Sequence, residues 1–488
     1  MALFDFMRKK PEPQRKRSYA GAKTSRLLSD FNASNRSADS ELKDALSSLR
    51  ERSRDLARNN EYVKRYFELL KTNVVGDRGF SLQVKATNTN SGLDQKGNDA
   101  VEKAFKAWSK LGNCTVDGKM SMVDAEKLAI EALARDGEVF IIKHRNSEFK
   151  DSFAIEFIEP EQIDQDKNHT LPNGNQIRMG VELNNFRKPV AYHMLLSHKG
   201  DYDYATQARS SKTVRIPADR VIHIFKPLRA GQTRGEPWLA PAINALKQLD
   251  GFREASVINA RVGASKMGFF TSPAGDGFTA DAEEDGVPIM SAEPASFHQL
   301  PAGVTFESFN PTFPSNEFES FHKSVLKGIA SGLGVSYTSL SNDLEATSYS
   351  SIRQGALEER DSYRSMQTFI IEHMVRPIYD AWLSSAMEIN SFGIPLRQYD
   401  RFSDASEFRG RAWSWVDPQK EMGSALMGLK GGILSLQDVA SQYGKDVEEL
   451  LGQIQKDKEL MAQFGIDYQL EPYNANFAPI GGEDADSE

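Results

Sequence analysis

Few residues in this chain have the type and spacing that catalysis requires. Gly21–Thr24 has the lysine and threonine of a phosphate loop but lacks its upstream glycine and preceding strand. The single cysteine, Cys114, is weak evidence for a thiol nucleophile, and no GxSxG stretch occurs. The eight histidines never pair at metal-ligand spacing: His144, His169, His193, His198, His223, His298, His322 and His373. We therefore expect no enzyme activity, no cofactor and no bound metal.

Adjacent acidic residues are the remaining candidates for metal-dependent chemistry. They occur at 283–285, 358–359 and 448–449. A two-metal nuclease needs carboxylates that converge from several elements, whereas runs of neighbouring acids usually form solvated faces. A site assembled from distant parts of the chain stays open as an alternative.

A different polar chemistry is concentrated in SYTSLSNDLEATSYSS, residues 336–351. Its hydroxyl and amide groups are neutral donors and acceptors. Such groups contact phosphates without the counterion-driven affinity of Lys and Arg. The stretch is too poor in apolar groups to pack as core, which predicts a polar loop between two helices. An ordinary surface loop is the alternative.

Composition limits the class of molecule that positions these groups. The chain has 488 residues and a formal net charge of −8 at pH 7, which predicts roughly two to four domains or one multi-part subunit. A lone cysteine excludes an internal disulfide. No apolar run approaches the length of about 18 residues that a membrane span needs. The acidic balance argues against a stand-alone DNA-binding protein.

Long helices dominate the predicted secondary structure. Apolar periodicity predicts helices over 41–72, with Ser40 as N-cap, and over 98–110 and 121–135. Two more follow at 237–268 and 315–334, and another runs over 352–389 with an expected kink at Pro377. Gly328 and Gly332 form a small-xxx-small pair, which either admits a neighbouring helix or fills a gap in the subunit's own core.

Short strands separate the first and middle groups of helices. We predict strands at 139–142, 153–158, 177–183, 189–197 and 220–225. Their close spacing without intervening helices favours antiparallel pairing. A strand-like return over 395–415 precedes C-terminal helices that begin after Asp417, Ser435 and Asp446, where Ser435 and Asp438 form a capping box.

Two stretches carry a resemblance to a known family. One runs from Val221 to Phe270, and the matching residues in it are His223, Gln232, Arg234, Gly235 and Pro237 with the apolar run behind them. The other matches at Arg54, Asp55, Asn59, Asn60, Asn73, Val75 and Gly76. The chain resembles the lambda-type phage portal proteins over roughly residues 40–470.

The resemblance implies an α+β, elongated, multi-part subunit. Its expected parts are a mixed wing domain at 41–236, a first stem helix at 237–268, a small α/β clip at 269–314, a second stem helix at 315–335, a tunnel loop at 336–351, a long kinked helix with a return to the wing at 352–415, and a helical crown region at 416–470. Outside the resemblance, composition predicts a basic, mobile N-terminal arm at 1–40 and an acidic tail at 471–488.

Three sets of candidate site residues follow from the resemblance. The tunnel loop would face DNA through Ser339, Ser341, Asn342, Asp343, Glu345, Thr347, Ser348 and Tyr349, with the two acids repelling the backbone. Stem cations that line the channel or pair with a neighbouring subunit are Arg253, Arg261, Lys266, Lys323 and Lys327. Clip acids that meet a packaging partner, or only keep that end soluble, are Asp276, Asp281, Glu283, Glu284 and Asp285.

The implied function is passive. Copies of the chain would form a dodecameric ring at one capsid vertex in the virion, after assembly in the bacterial host cytoplasm. Double-stranded DNA would pass through the ring during packaging and ejection. The implied partners are the terminase large subunit, head-tail adaptor or connector proteins, and the major capsid or scaffold protein, with no membrane. A nucleic-acid-processing packaging enzyme (a terminase or nuclease) and another structural head protein remain the alternatives.

Overall fold

The computed structural model describes most of the chain between residues 35 and 465. The described residues are 35–88, 92–196, 198, 200, 213–264, 268–271, 282–284, 287–289, 305–308, 317–345, 349–413, 418–442 and 447–465. The basic arm up to residue 34, the acidic tail, Asp417 and Asp446 lie outside these ranges.

Helices and antiparallel strands are mixed along the chain, as expected of an α+β protein. The helices are α1 (Ala38–Asn59), α2 (Glu61–Leu70), α3 (Gln95–Trp108), α4 (Met122–Asp136), α5 (Ile243–Ala264), α6 (Glu317–Leu333), α7 (Tyr337–Ser341), α8 (Tyr349–Ile370), α9 (Arg376–Glu388), α10 (Tyr399–Asp404), α11 (Pro418–Lys430), α12 (Leu436–Gln442) and α13 (Val447–Gln463). Within the described ranges, each helix is too short or too polar to cross a bilayer.

The strands pair as the close spacing predicts. They are β1 (Ser81–Val84), β2 (Glu138–Arg145), β3 (Phe153–Ile158), β4 (His169–Thr170), β5 (Gln176–Arg178), β6 (Val181–Leu183), β7 (Pro189–Leu195), β8 (Thr213–Pro217), β9 (Val221–Phe225), β10 (Gly268–Thr271), β11 (Ala282–Glu284), β12 (Val287–Ile289), β13 (Thr305–Ser308) and β14 (Ser406–Arg409). One sheet has the order β3-β2-β9 and another β4-β5-β6-β7-β8; β1-β14, β10-β13 and β11-β12 are two-stranded. Every pairing between these strands is antiparallel.

Several predicted boundaries are wrong for local reasons. The helix expected over 41–72 is interrupted at Asn60, whose extended backbone and side-chain oxygen cap α2 through the amides of Tyr62 and Val63. Ser37, rather than Ser40, caps α1. The strand expected over 177–183 is two strands, because the backbone turns at Met179.

The helix expected from residue 237 begins only at Ile243. Pro241 has no amide hydrogen, so the bond that would continue a helix from Pro237 cannot form. Separate turns form instead, in which the Ala240 amide bonds to the Pro237 carbonyl and the Ala242 amide to the Leu239 carbonyl. The helix therefore has 22 residues and ends before β10.

The long helix expected over 352–389 is interrupted before Pro377, while the kink expected there stays a prediction. Ile371–Val375 forms a π turn between α8 and α9, in which the Arg376 amide bonds to the Ile371 carbonyl. Pro377 lies in the first turn of α9. The wider π turn therefore comes directly before the proline, which has no amide hydrogen to donate. Beyond this helix, the strand-like return expected over 395–415 is mostly wrong, because α10 lies within it and β14 is the only strand among its described residues, 395–413.

Two local predictions for the C-terminal helices, the Ser435–Asp438 capping box and the helix start at Pro418, are confirmed. The Ser435 amide bonds to Asp438 Oδ2 at 2.8 Å, and the Asp438 amide bonds to Ser435 Oγ at 3.1 Å. This capping box begins α12 as expected. Pro418 begins α11, as its fixed φ favours at a helix start.

A cluster of aromatic residues joins the helices of the core. Phe105 and Trp382 lie with ring centroids 5.0 Å apart, and Phe105 stacks on Trp108 at 5.6 Å. Trp108 Nε1 donates to the Phe153 carbonyl at 2.9 Å, while Trp382 Nε1 donates to Asp151 Oδ2 at 3.0 Å. Both buried indoles therefore have hydrogen-bond partners, and α3 and α9 are joined to the start of β3.

The buried carboxyl group of Glu126, on α4, lies under the turn that enters β1. The Phe80 amide donates to Glu126 Oε2 at 3.2 Å. Gly79 has a φ of +68°, and a Cβ there would collide with the carboxyl group. Burial raises the pKa of Glu126 to about 8. Glu126 is therefore protonated in the folded chain at neutral pH.

Replacing Glu126 with Gln should reduce the decline of stability with pH. The folded-state pKa lies above that of the unfolded chain, so the contribution of Glu126 is fully present below about pH 4.5 and is lost as pH rises toward 8. The loss is about 1.4 kcal/mol per pH unit in that window. The midpoints of urea unfolding, recorded from pH 5 to 9, measure this loss of stability. Equal slopes for the Glu126→Gln variant and the parent protein contradict the prediction.

Candidate functional site

The turn that carries much of the family resemblance surrounds one buried carboxylate. Glu138 opens β2, and its side chain is fully buried. Arg234 Nε lies 2.8 Å from Glu138 Oε1, and Arg50 of α1 donates to the same oxygen. His223 Nε2 and the Gly235 amide lie 3.0 and 2.9 Å from Oε2. Burial alone raises the pKa of Glu138, but Arg234 and Arg50 outweigh it and hold that pKa well below its usual range.

Both arginines of this buried ionic centre bond to the backbone as well. Arg234 Nη1 donates to the Met179 carbonyl at 2.6 Å and Nη2 to the Pro160 carbonyl at 2.8 Å. Arg50 Nε donates to the Asp136 carbonyl at 3.0 Å. The centre therefore joins α1, the end of α4, both larger sheets and the turn before α5.

The neighbouring residues of the turn hold its shape. Gln232 Oε1 accepts from the Leu228 amide at 2.9 Å, and its Nε2 donates to the Arg234 carbonyl at 2.8 Å. Gly137 and Gly235 approach each other so closely that a Cβ on either would collide with backbone of the other segment. These residues therefore have structural roles.

The predicted tunnel loop starts with a short helix. Ser336 Oγ caps α7 by accepting from the Ser339 amide at 3.1 Å, and Asn342 ends it with a φ of +58°. Leu340 is buried. The expectation of a polar loop with no packed residue is therefore wrong for its first half, because Leu340 contributes to the core.

Glu359 of α8 accepts hydrogen bonds from the start of the α7 segment. The Ser336 amide donates to Glu359 Oε1 at 2.7 Å, and Ser339 Oγ donates to Oε2 at 2.8 Å. Arg65 Nε of α2 donates to the Ser339 carbonyl at 3.1 Å. A carboxylate that accepts two hydrogen bonds from one turn restricts the position of that turn.

A second contact fixes the segment to α6. The Tyr337 hydroxyl donates to Asp343 Oδ2 at 2.8 Å, and Lys323 Nζ lies 3.3 Å from the same oxygen. The hydrogen bond from Tyr337, with Lys323 nearby, lowers the pKa of Asp343. Lys323 also pairs with Glu319 at 2.6 Å, and Lys327 lies 5.6 Å from the centroid of the Tyr337 ring. Asp343 is therefore neutralised within the chain.

The other predicted tunnel-loop residues either have contacts of their own or lie outside the described residues. Ser341 Oγ donates to the Tyr337 carbonyl at 2.7 Å. Glu345 is exposed, with its carboxylate 3.9 Å from Lys323, and Tyr349 begins α8. Thr347 and Ser348 lie outside the described residues. Contact between these residues and DNA stays a prediction.

The stem cations are used mainly within the subunit. Arg253 pairs with Glu61 of α2 and lies 5.6 Å from the centroid of the Tyr62 ring. Arg261 is exposed near the end of α5, and Lys266 lies outside the described residues. Their alignment along a channel stays a prediction.

Little of the predicted clip is described. Glu283 and Glu284 belong to β11, which pairs with β12. Asp276, Asp281 and Asp285 lie outside the described residues. The described backbone within 269–314 is entirely strand.

One cluster of possible metal ligands does occur, at Glu159, Glu161 and His198, whose ligand atoms lie within 4.8 Å of one another. Arg54 Nη2 donates to Glu161 at 2.9 Å. His198 Nδ1 accepts from the Gly200 amide at 3.0 Å, and its Nε2 lies 3.3 Å from Glu159. The expectation of no bound metal therefore stays a prediction at this cluster.

Comparison with known proteins places this geometry in a family. A family model described as "Phage portal protein, lambda family" matches residues 24–367. The chain belongs to the lambda family of phage portal proteins. A portal function is therefore favoured over that of a terminase, a nuclease or another head protein.

Individual portal relatives match along most of their length. The chain is 35% identical over 464 residues to "Probable portal protein" of Halomonas phage phiHAP-1, covering 93% of this chain and 89% of that one. It is 23% identical to "Portal protein B" of Escherichia phage lambda, covering 87% and 86%. A solved structure, "Virion of native gene transfer agent (GTA) particle", overlaps with a TM-score of 0.43 at 10% identity, covering 87% of this chain and 94% of that chain.

Sequence reasoning missed the acceptor and one donor of the buried ionic centre of this portal protein. The predicted strand at 139–142 leaves out Glu138, although a charged residue directly before an apolar strand indicates a buried partner. Arg50 follows Leu42 and Leu46 at helical spacing, and that position within the apolar stripe was the available signal.

Replacing Glu138 with Gln should lower the free energy of unfolding by about 3–5 kcal/mol, because it leaves two buried guanidinium groups without an anion. Urea denaturation measures the change. Glu131→Gln is the matched control: Glu131 is partly exposed and pairs with Lys71 at 3.0 Å, so its loss should cost at most about 1 kcal/mol. Equal effects of the two substitutions contradict the role of Glu138.

Replacing Glu359 with Ala should loosen the α7 segment. The amides of Ser336 and Ser339 should exchange hydrogen more than about tenfold faster, because the carboxylate that fixes the turn is lost. Hydrogen–deuterium exchange measures the rates. Glu358→Ala serves as the control, since Glu358 is exposed and accepts only from Gln354 in the described contacts; unchanged exchange in Glu359→Ala rejects the assignment.

Proposed function

We propose that copies of this portal protein close a dodecameric ring at one capsid vertex, and that double-stranded DNA passes through its centre during packaging and ejection. Membership of the lambda portal family supports the portal role. A ring needs a heterologous interface, in which one face of each subunit meets a different face of the next.

The observation that carries the proposal is the uncovered surface of α5 and α6. Val257 and Ile258 of α5 are 53% and 52% exposed, and Phe321 of α6 is 51% exposed. A Cβ at Gly328 or Gly332 would meet no atom within 4 Å in the described part of the chain. Within the described part of the chain these glycines fill no gap, which supports the alternative that they admit a neighbouring helix.

The predicted tunnel loop, residues 336–351, is proposed to face the DNA. Internal pairing of Asp343 with Lys323 removes the charge that would repel phosphate, and it also removes the lysine that would hold phosphate tightly. Lys323 is shared with Glu319 and Glu345, so the exposed surface keeps a small negative charge at this point. Such a surface suits a duplex that must slide past it.

Protein partners are proposed from the family role. The terminase large subunit and then head-tail adaptor or connector proteins would dock at the clip. The major capsid or scaffold protein would surround the wing. The finished ring belongs to the virion, is assembled in the host cytoplasm, and performs no covalent chemistry.

Replacing Ile258 with Asp should raise the protein concentration at which rings form by tenfold or more. A carboxylate in a covered apolar face without a partner costs more than about 1.4 kcal/mol. Native mass spectrometry of the purified chain measures the distribution of oligomers. Gln248→Asp, at an exposed polar position of the same helix, is the control and should assemble as the parent does.

Two outcomes would contradict the proposed assembly. A parent protein that stays monomeric at all salt concentrations, with no rings by negative-stain microscopy, rejects the ring. Normal assembly of the Ile258→Asp variant rejects the assignment of the exposed α5 face to the interface.

A further inference from the structure

An apolar groove runs beside α1. Its cavity has a volume of about 240 Å³ and is lined along α1 by Leu42, Ala45 and Leu49 and on the other side by Leu228. Leu228 is 61% exposed. Apolar residues that line an open groove favour an apolar occupant.

The groove also contains a carboxylate that lacks a cation. Glu236 lines it and is half-buried, and no Lys, Arg or His pairs with Glu236 in the described part of the chain. Burial raises the pKa of its carboxyl group. Glu41, at the rim, already pairs with Arg229 at 2.6 Å. The occupant that satisfies both features has a basic group beside apolar side chains.

The described chain begins at the rim of this groove. Arg229 Nη2 donates to the Arg36 carbonyl at 3.1 Å, and Ala38 itself lines the cavity. The residues before 35 therefore enter the described chain beside the groove.

We propose that residues 26–31 of the same chain, RLLSDF, occupy this groove, with Leu27, Leu28 and Phe31 on its apolar wall and Arg26 beside Glu236. The segment combines one basic and three apolar side chains within six residues. The basic run at 15–17 lies farther from the groove along the chain and is left free.

Lengths are compatible with this placement. From Ala38 to Leu49 the helix rises about 16 Å, and six extended residues span about 20 Å. Eight residues separate Leu28 from Arg36, a reach of at most about 27 Å. A segment of the same chain can therefore fold back along α1.

Limited trypsin digestion of the full-length chain tests the proposal. Cleavage after Arg26 should be at least tenfold slower than after Arg17, which serves as an internal reference in the same arm. Leu228→Asp should remove this difference, because it places a carboxylate on the apolar wall. The matched control is Leu111→Asp, since Leu111 is 64% exposed and lies outside the groove. Equal cleavage after Arg26 and Arg17 in the parent overturns the proposal.

Glu236→Gln tests the ionic part separately. It should speed cleavage after Arg26 at least threefold while leaving cleavage after Arg17 unchanged. Unchanged cleavage after Arg26 in this variant overturns the pairing with Glu236.

A disulfide measurement identifies the source of the occupant. The double variant Leu28→Cys, Leu228→Cys should oxidise within one chain and keep the monomer mass on a non-reducing gel. The native thiol does not interfere, because Cys114 is buried and burial raises its pKa to about 12. A disulfide-linked dimer shows that a second copy supplies the segment and overturns the proposal, as does the absence of any disulfide.

Discussion

The buried carboxylate of Glu138 is the interaction on which the rest of the structure depends. An ionised group without water needs compensating charge and hydrogen bonds, and here they come from Arg50, Arg234, His223 and the Gly235 amide. These groups are separated from Glu138 by up to 97 residues of chain. The first helix, the central strand of the three-stranded sheet and the turn before α5 must therefore come together at one point.

This constraint determines where α5 begins. Arg234 is fixed by Glu138 and by carbonyl groups of the neighbouring loops, so the chain leaves the sheet in one direction. The turns through Pro237 and Pro241 then delay the helix until Ile243. The exposed apolar face of α5 and the groove beside α1 both lie on elements that this turn joins. The residues that identify the family are thus explained by architecture, and none of them needs a role in contacting DNA.

At the predicted tunnel loop, residues 336–351, the charged side chains make their contacts near the surface of the subunit and not around a buried carboxylate. Its charged residues neutralise one another inside the subunit, as Lys323 and Asp343 do, and Glu359 accepts bonds from the turn beneath it. In the proposed ring, DNA would be held loosely, and internal pairing of charges lowers the long-range attraction to phosphate. Short hydrogen bonds to fixed carboxylates also keep the start of the segment rigid.

The sequence by itself determined the features that depend on near neighbours. The strand Phe153–Ile158, the antiparallel pairing and the Ser435–Asp438 capping box follow from local pattern and hydrogen bonding, and the family followed from the order of its motifs. Only the tertiary structure decided that Ser339 bonds to Glu359, that Asp343 meets Lys323, and that Arg50 and Arg234 share Glu138. Local periodicity records which side of a helix is apolar, but a charge–charge contact depends on distances through space. Those distances exist only once distant segments have packed together.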